Sequence, residues 1–312
     1  MNKMRFVSLH SHTTFSFGDG YGTVPEHVSR VADLGMTALA VTEHGNSSSF
    51  VALEKACRAS IPPVKPIFGI EVYVGIPKEQ RKTHMILLAS NEVGIQNINR
   101  LVTRSWRQFY RWPTVYPSDI KEFNEGLIVL SGCADSALSC ILLGGKHYGD
   151  KRMEPRPRDI QRARRGIEWY QEIFGERYYL ETQRFPLLER TCVLNQTLER
   201  LSATTGARLC ATADVHYPLP DQNAMQRILH AAHRGGSVES VDATWEYDIL
   251  LTYPRSDEEI HQDLVHTGMS EDAARQAISS TAMIANGCNA TLPKAPLPRY
   301  LIDPEKDWKP WT

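Results

Sequence analysis

The chain has 312 residues, 42% hydrophobic and 23% charged, a composition that excludes disorder and suffices for one large domain or two modest ones. Its longest apolar runs, such as Ile86 to Ala89, fall far short of the roughly 20 residues of a membrane span, and Met1 to Phe6 lacks a signal-peptide apolar stretch. Lys plus Arg number 35 against 36 Asp plus Glu, so no global charge draws the chain to nucleic acid, and six cysteines without a C-x-x-C pair fit a reducing cytoplasm.

In chain order, the short apolar runs rich in β-branched or aromatic residues read as buried strands: Met4 to Leu9, Ala38 to Thr42, Ile67 to Val74, Met85 to Ala89, Leu127 to Leu130, Tyr178 to Glu181 and Arg208 to Ala213. Helix-like stretches between them favour a mostly parallel sheet. After the first run, Thr23 reads as an N-cap with Pro25 and Glu26 behind it. Val24, Val28, Val31 and Leu34 then keep helical spacing and Gly35 stops the helix. Further helices are expected from Ser47 to Ala59 and from Gly94 to about Phe109. The repeated strand-helix unit predicts a barrel or a wound open sheet. From Cys140 to Arg165, Gly144-Gly145 leads into Lys151, Arg152, Arg156, Arg158, Arg162, Arg164 and Arg165, an exposed loop entering a basic helix. Beyond Pro220 the pattern is helical, with a break at Gly235-Gly236. A helix capped by Ser256 with Glu259 follows, then one from Ser270 to Asn286 stopped by Gly287. Residues 291–312 are proline-rich and expected to be an extended tail to a domain spanning 1–290.

Histidines and carboxylates gather where these runs end. The first leads into His10-Ser11-His12, whose alternation along an extended chain turns both imidazoles to one side. Asp19 follows among Gly18, Gly20 and Gly22. The second run ends in Glu43-His44-Gly45, the third contains Glu71, the fifth leads to Cys133 and the last to Asp214-Val215-His216. Parallel barrels carry their active sites at the C-terminal ends of the strands, where most of these residues fall. His84 is the exception, since it begins an apolar run. An isolated histidine is more often a hydrogen-bonded structural residue and a lone cysteine a small buried hydrophobe. H-x-H at one strand end and D-x-H at another reverse those odds. The mixed N, O and S donors suit Zn2+, Mn2+ or Fe2+ better than magnesium, and they exceed what one tetrahedral ion can use, so two or three divalent ions are expected. Clustered divalent ions suit phosphoester hydrolysis.

These residues resemble the polymerase and histidinol phosphatase (PHP) domain at the N-terminus of bacterial replicative DNA polymerase III alpha subunits. The resemblance is carried by Leu9-His10-Ser11-His12 with Asp19-Gly20, Ala40-Val41-Thr42-Glu43-His44-Gly45-Asn46, and Pro66-Ile67-Phe68-Gly69-Ile70-Glu71-Val72-Tyr73. It continues through His84-Met85-Ile86-Leu87-Leu88-Ala89, Leu130-Ser131-Gly132-Cys133, Tyr179-Leu180-Glu181, Asp214-Val215-His216-Tyr217 and Ile284-Ala285-Asn286-Gly287-Cys288-Asn289. It implies an α/β fold, a distorted (β/α)7 barrel with a metal cluster at the C-terminal face of its strands. It also implies the ligand set His10, His12, Asp19, His44, Glu71, His84, Cys133, Asp214 and His216, with His10, His12, Asp19, Asp214 and His216 carrying catalysis. His84 enters the set through this resemblance. Glu43 stands where the family usually has Asp, and is expected to tune the site.

Complete ligand sets in this family accompany metal-dependent 3'-5' exonuclease activity, so the expected function is removal of terminal nucleotides from DNA in a proofreading manner. The expected partners are the 3' end of single-stranded DNA and a separately encoded replicative polymerase, with no membrane. Arg104 and Arg107, within the aromatic-rich Arg100 to Trp112, and Arg158 and Arg162 of the second basic segment are the candidate substrate contacts; a solvated basic face is an equal alternative for each segment. The competing readings are a small-molecule phosphatase of the histidinol phosphatase type and a structural polymerase-docking module. No D-x-D pair occurs, so the polymerase's own metal site is absent, and the chain is read as a stand-alone exonuclease or as a piece of a longer polymerase.

Overall fold

The computed structural model of the protein describes residues 5–75, 82–145, 151–242 and 249–294. The strands are β1 (Ala38–His44), β2 (Lys65–Gly75), β3 (Lys82–Ala89), β4 (Thr114–Val115), β5 (Leu127–Leu130), β6 (Tyr178–Gln183) and β7 (Arg208–Thr212). They form one curled sheet in the order β1-β2-β3-β5-β6-β7, with β4 beside β2. Six of these match predicted runs; the two-residue β4 is too short to leave a periodic signal.

The sheet is mostly parallel, as expected, with β3 as the exception, antiparallel to both β2 and β5. The sequence between Gly75 and Lys82 is too short for a parallel crossover, which takes a dozen or more residues, so the chain must double back. The first predicted run is also not a regular strand. Met4 lies outside the described residues, and the segment after it makes isolated bridges, Ser8 to Leu39 of β1 and Ser11 to Val215 beyond β7. Ala40 N–H donates to Ser8 O at 2.9 Å and His12 N–H to Val215 O at 2.7 Å. By passing from one edge of the sheet to the other, this strut closes the distorted barrel.

The helices are α1 (Val24–Asp33), α2 (Phe50–Ala59), α3 (Glu92–Arg107), α4 (Pro117–Glu122), α5 (Ala137–Leu143), α6 (Pro157–Phe174), α7 (Glu189–Thr205), α8 (Asn223–Arg234), α9 (Val238–Asp242), α10 (Asp257–His266) and α11 (Glu271–Gly287). Their ends follow the expected chemistry. Glu26 accepts from Thr23 N–H at 2.6 Å and Thr23 Oγ1 at 2.8 Å, Ser256 caps Glu259 N–H at 3.1 Å, and Ser270 caps Ala273 N–H at 3.2 Å. Most of the proline-rich tail, from 295 on, lies outside the described residues.

Alternation along the strands divides the core in two. Leu39, Val41, Met85, Leu87 and Ala89 pack outward against the helices. Ala38, Ala40, Ile67, Ile86, Leu88, Tyr179 and Cys210 pack together inside, with Ile284, Ala285 and Cys288 at the end of α11. Both faces being buried explains why these strands read as continuous apolar runs. Two residues further along each strand, the same inward parity changes chemistry: Ile67 and Gly69 lead to Glu71, Leu88 and Ile86 to His84, Tyr179 to Glu181, and Cys210 and Thr212 to Asp214. The barrel is plugged by hydrocarbon at one end and lined by ligand atoms at the other.

Candidate metal centre

The nine expected ligand residues converge at that polar end, around a cavity of about 1010 Å³ whose wall includes Asp19, His44, Glu71, His84, Cys133, Asp214 and His216. His10 and His12 lie beneath it, fully buried. His84 joins them because β3 is reversed: the N-terminal end of an antiparallel strand lies at the C-terminal ends of its parallel neighbours. Its Nδ1 is 2.9 Å from Glu71 Oε1 and 3.6 Å from Cys133 Sγ. Gly132 makes that approach possible. Its φ is +92°, and a Cβ there would lie 2.3 Å from the His84 carbonyl oxygen.

Hydrogen bonds fix which nitrogen of the His12, His10 and His216 rings faces inward. Ser16 Oγ donates its single proton to Glu43 Oε2 at 2.5 Å, so it must accept from His12 Nδ1 at 2.9 Å, leaving His12 Nε2 bare. Glu43 also accepts from Thr13 Oγ1 at 2.6 Å, and this answers its role: it orients His12 through Ser16 without facing the cavity. Glu181 Oε1, itself accepting from Thr212 Oγ1 at 2.6 Å, accepts from His10 Nδ1 at 2.7 Å. His216 Nδ1 donates to the Asp214 carbonyl at 2.8 Å, a contact made possible by the left-handed φ of +44° at Asp214. Carboxylate or carbonyl acceptors on the outer nitrogen are what metal-binding histidines commonly have.

The inner nitrogens and carboxylate oxygens then crowd against one another. His10 Nε2 and His12 Nε2 are 3.1 Å apart, with Asp214 Oδ1 3.2 Å from the first and Glu71 Oε2 3.2 Å from the second. His44 Nδ1 and Glu71 Oε2 approach to 2.7 Å, yet both are buried without a hydrogen bond. Such a cluster needs positive charge among its atoms, from protons or from metal ions. Three groups of donors each lie within 4.8 Å of one another: His12, His44 and His216; His10, His12 and Asp214; Glu71, His84 and Cys133. The residues present therefore fit divalent ions.

The ionisation pattern says the same. Burial alone would push the Asp19 carboxyl up, but the His216, His230 and His44 imidazoles hold it well below the usual range. Burial likewise opposes ionisation of Glu71, which His84, His44 and His10 nonetheless keep well below the ordinary carboxylate value. Burial and the neighbouring His44 drive His12 down to about 3. His216 goes the other way, to about 9, because Asp19 outweighs its burial. Burial and the charges of Glu71 and Asp214 push the Cys133 thiol well up, so without a metal it stays neutral.

The arginines sit elsewhere. Arg104 bonds Asp119 Oδ1 at 2.9 Å and Glu122 Oε2 at 2.8 Å on α4, and Arg107, Arg158 and Arg162 are exposed residues of α3 and α6 outside the cavity wall. From the second basic segment it is Lys151 that reaches the cavity, beside Met153. Sequence reasoning missed Glu181, Gln183, whose Nε2 donates to Asp214 Oδ2 at 3.0 Å, and His230, whose Nε2 is 2.6 Å from Asp19 Oδ1. The first two carry a legible signal, polar residues of inward parity at the end of an apolar strand. His230 carries none, since α8 brings it from 211 residues away.

The profile of the PHP domain family matches residues 8–185. The chain is 27% identical over 316 residues to the DNA polymerase III subunit alpha of Borreliella burgdorferi, covering 97% of this chain and 26% of that protein. It is 30% identical over 319 residues to the protein of the same name from Treponema pallidum, covering 98% and 25%. The chain thus spans about a quarter of the length of these relatives. Among solved structures, an amidohydrolase from Chromobacterium violaceum superposes with a TM-score of 0.44 at 14% identity, over 68% of this chain and 88% of that one.

Proposed function

This chain belongs to the PHP domain family, and from that premise we propose that it is a metal-dependent phosphodiesterase that removes nucleotides from the 3' end of single-stranded DNA. The observation that carries the reading is the crowding of inward nitrogen and carboxylate atoms at one site, with the His12, His10 and His216 rings held from outside by Ser16, Glu181 and the Asp214 carbonyl. Divalent ions held by these groups would supply Lewis-acid charge and an activated water for phosphoester hydrolysis.

The chain's own residues account for the rest. Asp19 and Asp214 stand on the cavity wall, fixed by His230 and Gln183 respectively, so neither needs to reorganise when a phosphate enters. Lys151 at the rim places a cation where an entering phosphodiester would need one. Phe185, Leu187, Leu188 and Leu251 give the same cavity an apolar side suited to a sugar and base.

The test is purified protein with Mn2+ or Zn2+ and 5'-labelled single-stranded DNA, beside histidinol phosphate. Stepwise 3' shortening is expected. Asp19→Asn and Asp214→Asn should lose it more than about a hundredfold, since even outer partners of metal ligands are worth roughly 10- to 100-fold. Phosphate release from the small ester alone would replace this reading with a phosphatase. Inertness toward both with metal bound would leave a docking module.

A further inference from the structure

Next to the metal centre lies a surface that the chemistry above does not use. The Tyr73 ring stacks on His44 at 5.9 Å and 16°, and Trp112 packs against Tyr73 at 6.0 Å. Lys82 Nζ lies 3.8 Å from the centre of the Trp112 ring. On the same turn, Trp106 Nε1 donates to the carbonyl of Gly45 at 3.2 Å, and Trp106 stacks almost parallel on Phe109, at 5.5 Å and 6°. Gly45 is required there: its φ is +63°, and a Cβ would meet Pro113 at 2.8 Å. The loop after α3 is thereby seated directly on the residue that follows His44.

These rings are not core. Trp106 is 54% exposed, Phe109 50%, Tyr110 68% and Trp112 40%. Large apolar side chains massed on a surface mark a binding face. Between residues 100 and 118 the sequence holds arginines and no carboxylate. Aromatic faces interleaved with cations are what single-stranded nucleic acid needs, the rings for bases and the cations for phosphates. Rings with arginine also suit a protein partner. Continuity with the metal centre decides between them, because a strand cut at the cavity must run on over an adjoining surface.

We infer that the ridge formed by Trp106, Phe109 and Trp112, with Lys82, binds the single-stranded nucleic acid on the far side of the bond being cut, stacking its bases on the exposed rings. The inference rests on the nucleic-acid reading of the site. Phe109 is the decisive residue, since its ring stacks on Trp106 and it lies outside the cavity wall.

The experiment measures fluorescence anisotropy of a short phosphorothioate-terminated oligonucleotide on the metal-loaded protein, together with KM for a longer oligonucleotide relative to a dinucleotide. Phe109→Ala and Trp106→Ala are each expected to weaken oligonucleotide binding about 5- to 150-fold, the span of one base-aromatic stack. Both should shrink the KM advantage of the longer substrate. Trp106→Phe should restore most of the affinity. Lys82→Ala should lower the slope of log affinity against log salt by about 1. If the wild type binds and shortens oligonucleotides and both alanine variants bind them equally well, the ridge is a protein-facing surface and this inference fails while the exonuclease reading stands. A wild type that neither binds nor shortens them overturns both. An effect of Trp106→Ala without one from Phe109→Ala would trace to the Gly45 turn and would also overturn the stacking role.

Discussion

Two buried histidines of this protein are partnered in different ways, one on α1 and one at the barrel mouth. His27 on α1 is fully buried, and each ring nitrogen has a neutral partner, Tyr253 Oη at 2.8 Å and the Tyr21 carbonyl at 3.0 Å. Burial drives it down to about 4, so it stays neutral and its requirements are met by the fold. His12, also fully buried, has one nitrogen satisfied by Ser16 at 2.9 Å. Its other nitrogen faces His10 at 3.1 Å and Glu71 at 3.2 Å. A histidine satisfied on both sides is packing. One whose second nitrogen meets only carboxylates and another buried imidazole is a place for a cation.

The largest expected break in this contrast is Glu71→Gln. Glu71 lies within 4 Å of His10, His12, His44, His84 and Cys133, so removing its charge touches every donor group. Metal affinity, read by chelator competition, should fall by more than about a hundredfold, beyond the roughly 10- to 100-fold of an outer-shell loss. Wild-type metal content in this variant would refute the cluster as the metal centre.

A smaller effect should appear as protons. His10 is held well up because Asp214, Glu181 and Glu71 outweigh its burial, and His216 stands at about 9. In metal-free protein near neutral pH both shifts favour the protonated ring, so metal uptake should expel protons. For His216 the folded value lies above the unfolded value of about 6.5, so its stabilisation is full below pH 6.5 and is lost as pH rises through about 9. The urea midpoint of metal-free protein should fall over that window, and saturating metal should flatten the dependence. Calorimetry in buffers of different ionisation enthalpy should show proton release at pH 7; zero release would contradict the protonated cluster.

Much of this contrast was legible in the residue order, and the limits were physical. H-x-H at a strand end needs only the alternation of an extended chain to predict two rings on one side, as His10 and His12 are. The inward parity of Glu71 and Asp214 is equally local. His84 was not placed by that logic, because strand direction depends on what the strand pairs with, and a reversed β3 puts a first residue where others put their last. The surroundings of the arginines were hidden for a related reason. A basic residue on a helix face is chemically able to meet a phosphate, but only the packing of α4 beneath α3 shows that Arg104 already has Asp119 and Glu122. The approach of His230 to Asp19 likewise exists only in the tertiary structure.

The smallest effect belongs to the histidine that has no metal to hold. His27→Leu would leave the Tyr253 hydroxyl and the Tyr21 carbonyl without their buried partner. The expected loss is about 1–3 kcal/mol per group left unsatisfied, reduced where the hydroxyl can turn to another acceptor. That loss should be equal with and without metal, because the ring makes its contacts to neutral groups that are themselves outside the ligand set. Urea denaturation at both metal levels, with metal content measured in parallel, checks it. Equal destabilisation at unchanged metal content keeps the two kinds of histidine distinct. A loss of metal from His27→Leu would mean that α1 and the barrel mouth are one cooperative unit, since Tyr21 and the His216 carbonyl that bonds it at 2.7 Å link the two.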